Sequence, residues 1–286
     1  MKKTFLLCAL CACFVMFTSC SSEEETSNLQ SQISNQTQVT LTFSPFEMSS
    51  MVNTRATTSI ATIVTRLDVW LYESGTEFTS VHQVSTDDNF GTITATLDKT
   101  KTYTLYAVGH KATDAATLAD GVISFPDDKV THSMFYTTTF SPSTTTSLSC
   151  LMNRIVSMFS FNTTDAVPDD AAKIQITIGG VYDRWNVTSG ATHQLDRTST
   201  FQDFTTRQDG TVTFNVYAIT TDAQTLHLVT VTALNASDEV VQTRVFTDVP
   251  LRNGYKTTYQ GVYFTDTETT ATFTIGDWNE YDVVNF

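Results

Sequence analysis

Short runs that alternate apolar and polar residues, with no stretch of helical period, constrain this chain most. Val39-Thr-Leu-Thr-Phe43, Leu67-Asp-Val-Trp-Leu-Tyr72, Ile93-Thr-Ala-Thr-Leu97 and Tyr103-Thr-Leu-Tyr-Ala-Val108 show period-two patterning in β-branched and aromatic residues. The pattern returns in Ile174-Gln-Ile-Thr-Ile178, Val212-Thr-Phe-Asn-Val-Tyr217, Leu226-His-Leu-Val-Thr-Val231 and Val240-Val-Gln-Thr-Arg-Val-Phe246. Threonine fills many of the outward positions, as suits a pleated surface with one wet face. Asn89-Phe-Gly91, Asp120-Gly121, Gly179-Gly180, Asp209-Gly210 and Asn253-Gly254 punctuate the runs, and the last is the strongest hairpin dipeptide. Only Ala112 to Ala119 and Asp165 to Ala172 could wind into one or two helical turns. The expectation is an all-β protein.

About 250 residues in many short strands are too many for one small sandwich and predict two β-sandwich domains in tandem. The low-complexity Phe140-Ser-Pro-Ser-Thr-Thr-Thr-Ser147 and the new apolar run Asn153-Arg-Ile-Val-Ser-Met-Phe-Ser-Phe161 place the seam near Cys150. The expected domains are 39–152 and 153–286, and no fixed-period repeat is visible. Residues 20–38 are Ser, Glu, Gln, Asn and Thr with little to bury, and read as a flexible tether.

The first residues have an address of their own. Lys2 and Lys3 precede an uncharged apolar run from Thr4 to Phe17, then Thr18-Ser19-Cys20, the three-part layout of an export signal over 1–19. That run is too short to span a bilayer, which needs roughly 20 residues. The segment ending at Cys20 resembles the bacterial lipobox, although Phe17 stands where leucine is usual. The resemblance implies that Cys20 carries lipid as the first residue of the exported chain. Ser21-Ser-Glu-Glu-Glu25 resembles the acidic tag that sends Bacteroidetes lipoproteins to the outer face of the outer membrane. Membrane contact is then through lipid alone. Cys8, Cys11 and Cys13 leave with the signal, so Cys150 has no intrachain disulfide partner and reads as a small core hydrophobe.

Charge and motifs exclude several function classes. Thirty Asp and Glu against sixteen Lys and Arg give a net charge of −14; the signal holds two lysines and no acid, so the exported chain stands near −16. Such a chain does not seek nucleic acid electrostatically. There is no His-Glu-x-x-His, no Gly-x-Ser-x-Gly and no phosphate-cradling glycine loop. His82, His110, His132, His193 and His227 fall in separate runs and read as strand or loop residues. The pairs Asp87-Asp88, Asp127-Asp128 and Asp169-Asp170 lack the alternating spacing of a calcium loop and read as solvated turn acids. Aromatic residues at strand period read as core, with a glycan-stacking platform as the other reading. No enzyme, cofactor or metal site is expected.

Arg55, in Met51-Val-Asn-Thr-Arg-Ala-Thr-Thr58, stands among small and polar residues, the setting of an accessible trypsin-like cleavage site. Taken alone, it reads first as an ordinary loop arginine. Its context changes that reading. The lipobox, Phe43-Ser-Pro-Phe46 followed by Thr54-Arg55-Ala56, Leu67–Tyr72, Leu151-Met-Asn-Arg-Ile-Val156, Leu251-Arg-Asn-Gly-Tyr255 and Phe273-Thr-Ile-Gly-Asp-Trp278 occur together in order. In that order the chain resembles the fimbrillins of the Bacteroidales, the FimA- and Mfa-type pilins of type V pili.

The resemblance implies two transthyretin-like Greek-key sandwiches, lipoprotein export, and processing at Arg55–Ala56 by an arginine-specific or trypsin-like protease. Cutting there frees a first strand within 39–55 and leaves a groove with open strand edges. The C-terminal segment 270–286 offers a replacement, with Phe273, Ile275, Tyr281, Val283 and Phe286 as its apolar residues. Inserted into the next subunit it adds a strand, and head-to-tail insertion does not close, so it builds a filament. The implied partners are other pilin subunits and a host or bacterial surface ligand. A tip subunit, a lipid-retaining anchor subunit, or a surface glycan-binding lipoprotein displaying Trp70, Trp185 and Trp278 are the alternatives.

Overall fold

A computed structural model describes residues 35–46, 59–202, 204, 212–265 and 273–277. Among the described residues strand outweighs helix, 65% against 3%, so the all-β expectation holds. The strands of the first half are β1 (Gln36–Pro45), β2 (Arg66–Glu73), β3 (Thr76–Val84), β4 (Thr92–Asp98) and β5 (Tyr103–His110). They continue with β6 (Thr117–Ala119), β7 (Val122–Ser124), β8 (Met134–Phe140) and β9 (Ser147–Arg154). The second half supplies β10 (Val156–Thr163), β11 (Lys173–Asn186), β12 (Gly190–Gln202) and β13 (Val212–Ile219). It ends with β14 (Thr225–Leu234), β15 (Val240–Leu251), β16 (Tyr255–Gly261) and β17 (Phe273–Asp277).

Seven strands form one sheet in the order β3-β2-β5-β8-β9-β1-β4. β8 and β9 pair only at Met134↔Arg154 and Phe135↔Asn153, so the sheet splits there and folds over on itself. The enclosed core gathers Val39, Leu41 and Phe43 of β1, Leu67, Val69 and Leu71 of β2, Leu97, Leu105, Cys150 and Met152. Alternation along each strand is what delivers these side chains to one face. The second sheet runs β15-β14-β11-β13-β10-β16-β17, with β12 and β7 also paired to β11. Its core is aromatic: Phe159, Phe161, Phe214, Phe246, Tyr259 and Tyr263 pack with Ile174, Ile176 and Val231.

A third cluster joins the two lobes. Trp70 and Val108 from the outer face of β2 and β5 pack with Ile123, Phe125, Phe135, Ile155, Met158 and Ile219. The chain passes from one sheet to the other at Ile155, whose amide donates to Ser133 O at 3.1 Å. The hairpin β6–β7 belongs by sequence to the first half, yet β7 pairs with Arg184–Asn186 of β11 in the second sheet.

Several local expectations give way. Residues 36–38, read as tether, already belong to β1. Gly179-Gly180 does not end a strand: it is a bulge inside the fourteen-residue β11, with Gly180 at φ +69° and the register shifting between Ile178 and Val181. Asn253-Gly254 turns the chain between β15 and β16, which are not neighbours in the sheet, so it makes no hairpin. Neither 112–119 nor 165–172 is helical; Thr117–Ala119 is strand, and the short helical turns fall at Ile60–Thr62 and Pro126–Asp128.

Candidate functional site

β1 is a central strand, although it comes first. It pairs in parallel with β9 from Thr40↔Ser147 to Pro45↔Met152 and has β4 on its other side. The amides of Thr40, Phe43 and Phe46 donate to Thr146 O, Gly91 O and Met152 O at 3.0, 2.8 and 2.8 Å. The turn that presents Gly91 is held from β3: Gln83 Oε1 accepts from the Gly91 amide, and Gln83 Nε2 donates to Asn89 O and Thr92 O. A side chain at Gly91 would meet Ile60 Cγ2 at 2.8 Å on a backbone at φ +85°, so glycine is required there. Val39 and Leu41 are wholly buried and Phe43 is 3% exposed. At roughly 1.5–3 kcal/mol each, their burial contributes about 5–9 kcal/mol. That is comparable with the whole stability of a typical domain, about 5–15 kcal/mol.

Cys150 stands opposite Phe43 in the β1–β9 register, wholly buried. Burial pushes its thiol up to about 12. It is therefore the small hydrophobe expected, with β1 beside it in the sheet.

Of the residues singled out for strand donation, Phe273 and Ile275 lie on β17. This strand pairs antiparallel with β16 of the same chain, Thr257↔Ile275 and Tyr259↔Phe273, at the edge of the second sheet. The Phe273 ring is 6.0 Å from Tyr259, 5.7 Å from Phe246 and 6.5 Å from Phe159. Tyr281, Val283 and Phe286 lie outside the described residues, as do Cys20, Arg55 and Ala56.

The histidines, dispersed in sequence, are partly gathered by the fold around carboxylates. Asp68, wholly buried on β2, accepts from the Ala116 amide at 2.8 Å and contacts His110 Nε2 at 2.7 Å and His82 Nδ1 at 2.8 Å. Because His110 Nδ1 accepts from the Ala112 amide at 3.1 Å, its proton sits on Nε2, facing Asp68. Burial works to raise the Asp68 carboxyl, yet the hydrogen bonds from His110, Ala116 and His82 outweigh it and hold the group below its ordinary value. In the second lobe Asp183 holds His193 at 2.7 Å. His132 accepts from Arg154 Nε at 3.0 Å and stacks on Tyr217; burial, then the charges of Arg154 and Lys111, push it well below the usual imidazole value. No sequence spacing announces the Asp68 cluster. A charged residue in the middle of an otherwise apolar strand, Leu67-Asp-Val-Trp-Leu, was the available signal. Among the described residues no set of three or more acids, histidines or cysteines is arranged to hold a metal ion.

An open cleft of about 570 Å³ lies where the two lobes meet, with Phe135, Tyr136, Trp185, Asp222, Arg252 and Tyr255 on its walls. Of the three tryptophans considered for a glycan-stacking rim, Trp70 is only 4% exposed and belongs to the interlobe core, which removes it from that role. Trp185 is half-buried and lines the cleft; Trp278 lies outside the described residues.

No family model and no curated protein matches the chain. Solved structures do. An adhesin candidate from Bacteroides ovatus is 12% identical over 85% of this chain and 95% of its own, with a TM-score of 0.52. Polysaccharide-binding candidates from Bacteroides thetaiotaomicron match at 8% identity, 85% and 99% coverage, and a TM-score of 0.52. The fimbrial anchor protein Mfa2 from Porphyromonas gingivalis matches at 11% identity, 84% and 97% coverage, and a TM-score of 0.48. At such identities the likeness is one of fold: over most of its length, the chain folds as the Bacteroides adhesin candidate does.

Proposed function

We propose that this chain is a structural subunit of a cell-surface pilus, exported as a lipoprotein through Cys20, cleaved after Arg55 and polymerised by strand exchange for adhesion. The observation that carries the reading is β1. It is an N-terminal strand that fills a groove between β9 and β4, precedes Arg55 in the chain, and contributes Val39, Leu41 and Phe43 to the first lobe's buried core. Severed at Arg55–Ala56, β1 keeps no covalent hold on the lobe. Its departure opens two hydrogen-bonding edges over an apolar floor, the condition under which a sheet takes up an added strand. The C-terminal segment of a second copy, with Tyr281, Val283 and Phe286, is the donor. Phe273 and Ile275 already hold the edge of the chain's own sheet, so their participation requires β17 to peel from β16. Lipid and acidic tag leave with β1, and the subunit passes from the outer membrane to the fimbrium. The role is structural and adhesive, not enzymatic: the Asp68–His82–His110 contacts are committed to holding strands together.

The test is limited trypsin treatment of the purified protein, read by a new N-terminus at Ala56, by ladders on unheated denaturing gels, and by maleimide labelling of Cys150. Cleavage is expected to accelerate labelling, because the strand paired beside Cys150 becomes free to leave, and ladder formation is expected to suppress it again. A chain uncut at Arg55, or cut without ladders, refutes polymerisation. Deleting 281–286 is expected to leave a labelled, cleaved monomer that no longer donates; ladders from that variant would refute the donor assignment. An anchor subunit would keep its lipid and stay whole under the same treatment.

A further inference from the structure

The interlobe cleft combines features that the assembly reading does not use. Its aromatic walls are held in place rather than mobile. Trp185 is fixed on β11 between Ala191 of β12 and Ile123 of β7, with its ring 5.8 Å from Phe135. On the opposite wall the turn after β15 is locked: Asn253 Oδ1 accepts from the amide and hydroxyl of Thr220, Asn253 Nδ2 donates to Thr220 O, and the Gly254 amide donates to Val156 O. This turn carries Arg252, whose Nε donates to Asp222 O at 2.8 Å and whose guanidinium lies 4.4 Å over the Tyr255 ring. A stacked, tethered arginine and the Asp222 loop it is bonded to thus stand together on the cleft wall, beside the Tyr255 ring.

We infer that this cleft is a carbohydrate-binding site that takes a pyranose-containing glycan. Aromatic faces suit the C–H face of a sugar ring. Vicinal hydroxyls need donors and acceptors side by side, which Arg252 and Asp222 supply. A volume of about 570 Å³ lies within the roughly 300–1,000 Å³ of small-ligand sites. The net charge of −14 disfavours a polyphosphate such as nucleic acid, and the charged pair on the wall disfavours a purely apolar ligand. The inference names a ligand for the adhesive role proposed above, but it concerns the monomer and does not depend on cleavage or polymerisation.

The experiment is a printed array of neutral and sialylated glycans probed with the purified, uncleaved protein, followed by titration of the retained glycan against tryptophan fluorescence. Retention of at least one pyranose glycan is expected, with Arg252→Ala and Tyr255→Ala each weakening it tenfold or more and Lys101→Ala leaving it unchanged. Arg252 is exposed, so its loss should not unfold the chain. Trp185→Phe keeps a ring for stacking and is expected to quench most of the titration signal. An array with no retained glycan overturns the site, as does binding that survives both Arg252→Ala and Tyr255→Ala. Because the protein is uncleaved, failure here leaves the strand-exchange reading standing, and ladder failure leaves this one standing.

Discussion

Asp68 shows how a single side chain can tie several strands together. A carboxylate withdrawn from water is costly unless charge-assisted hydrogen bonds replace its hydration. Here the replacements come from β5 through His110, from β3 through His82, and from the 111–116 connection through the Ala116 amide. Asp68→Ala strands those donors and is expected to lower the unfolding free energy by about 3–5 kcal/mol, measured by urea denaturation at neutral pH. The pH dependence has a definite sign. A carboxyl held below its ordinary value stabilises the fold fully above about pH 4, and that contribution is lost as pH falls through the depressed value. Stability of the parent chain is therefore expected to fall on acidification below pH 4 more steeply than that of Asp68→Asn, so the two curves converge. Parallel curves would mean that Asp68 is not ionised in the folded chain.

The strands divide by how they are flanked. β1 is paired on both sides and buries alternate residues completely, whereas β17 is five residues long at a sheet edge with Phe273 and Ile275 half-buried. Phe43→Ala should then cost about 3–5 kcal/mol, the usual range for emptying a packed aromatic site. Phe273→Ala should cost clearly less, because the ring is only partly withdrawn from water. Thermal melts of the two variants check the order, and an equal or larger loss for Phe273 would make β17 an integral strand rather than one able to peel away. The same contrast explains what could be read in advance. β1, β2, β4, β5, β11, β13, β14 and β15 put apolar residues on one face and were legible as alternation. β3 and β12 were not: with polar residues on both faces, as in Thr192-His-Gln-Leu-Asp-Arg-Thr-Ser-Thr200, they rely on hydrogen bonds to β2 and β11. The cleft was illegible for another reason. Its walls come from β8, β11 and the turn after β15, which are brought together only by the packing of one sheet against the other.

At the scale of the molecule, the two lobes are bound by more than a linker. The hairpin β6–β7 leaves the first lobe to pair with β11, and Ile123 on β7 is wholly buried among Trp70, Phe125, Phe135, Ile155 and Met158. The connection just before that hairpin supplies the Ala116 amide to Asp68, so the hydrogen-bond hub of the first lobe and the strand ladder of the second share one short stretch of chain. Elements coupled in this way should open together. Amide hydrogen exchange is expected to give the slowest amides of β5 and β13 a common opening free energy. Ile123→Ala should lower both by the same amount, about 2–5 kcal/mol. If the lobes were independent, only one set would move. The coupling also bears on processing: a subunit that loses β1 is expected to lose protection in β13 as well as in β5. Filling the first-lobe groove with a donor strand should then restore the second lobe at a distance, and with it the cleft between them.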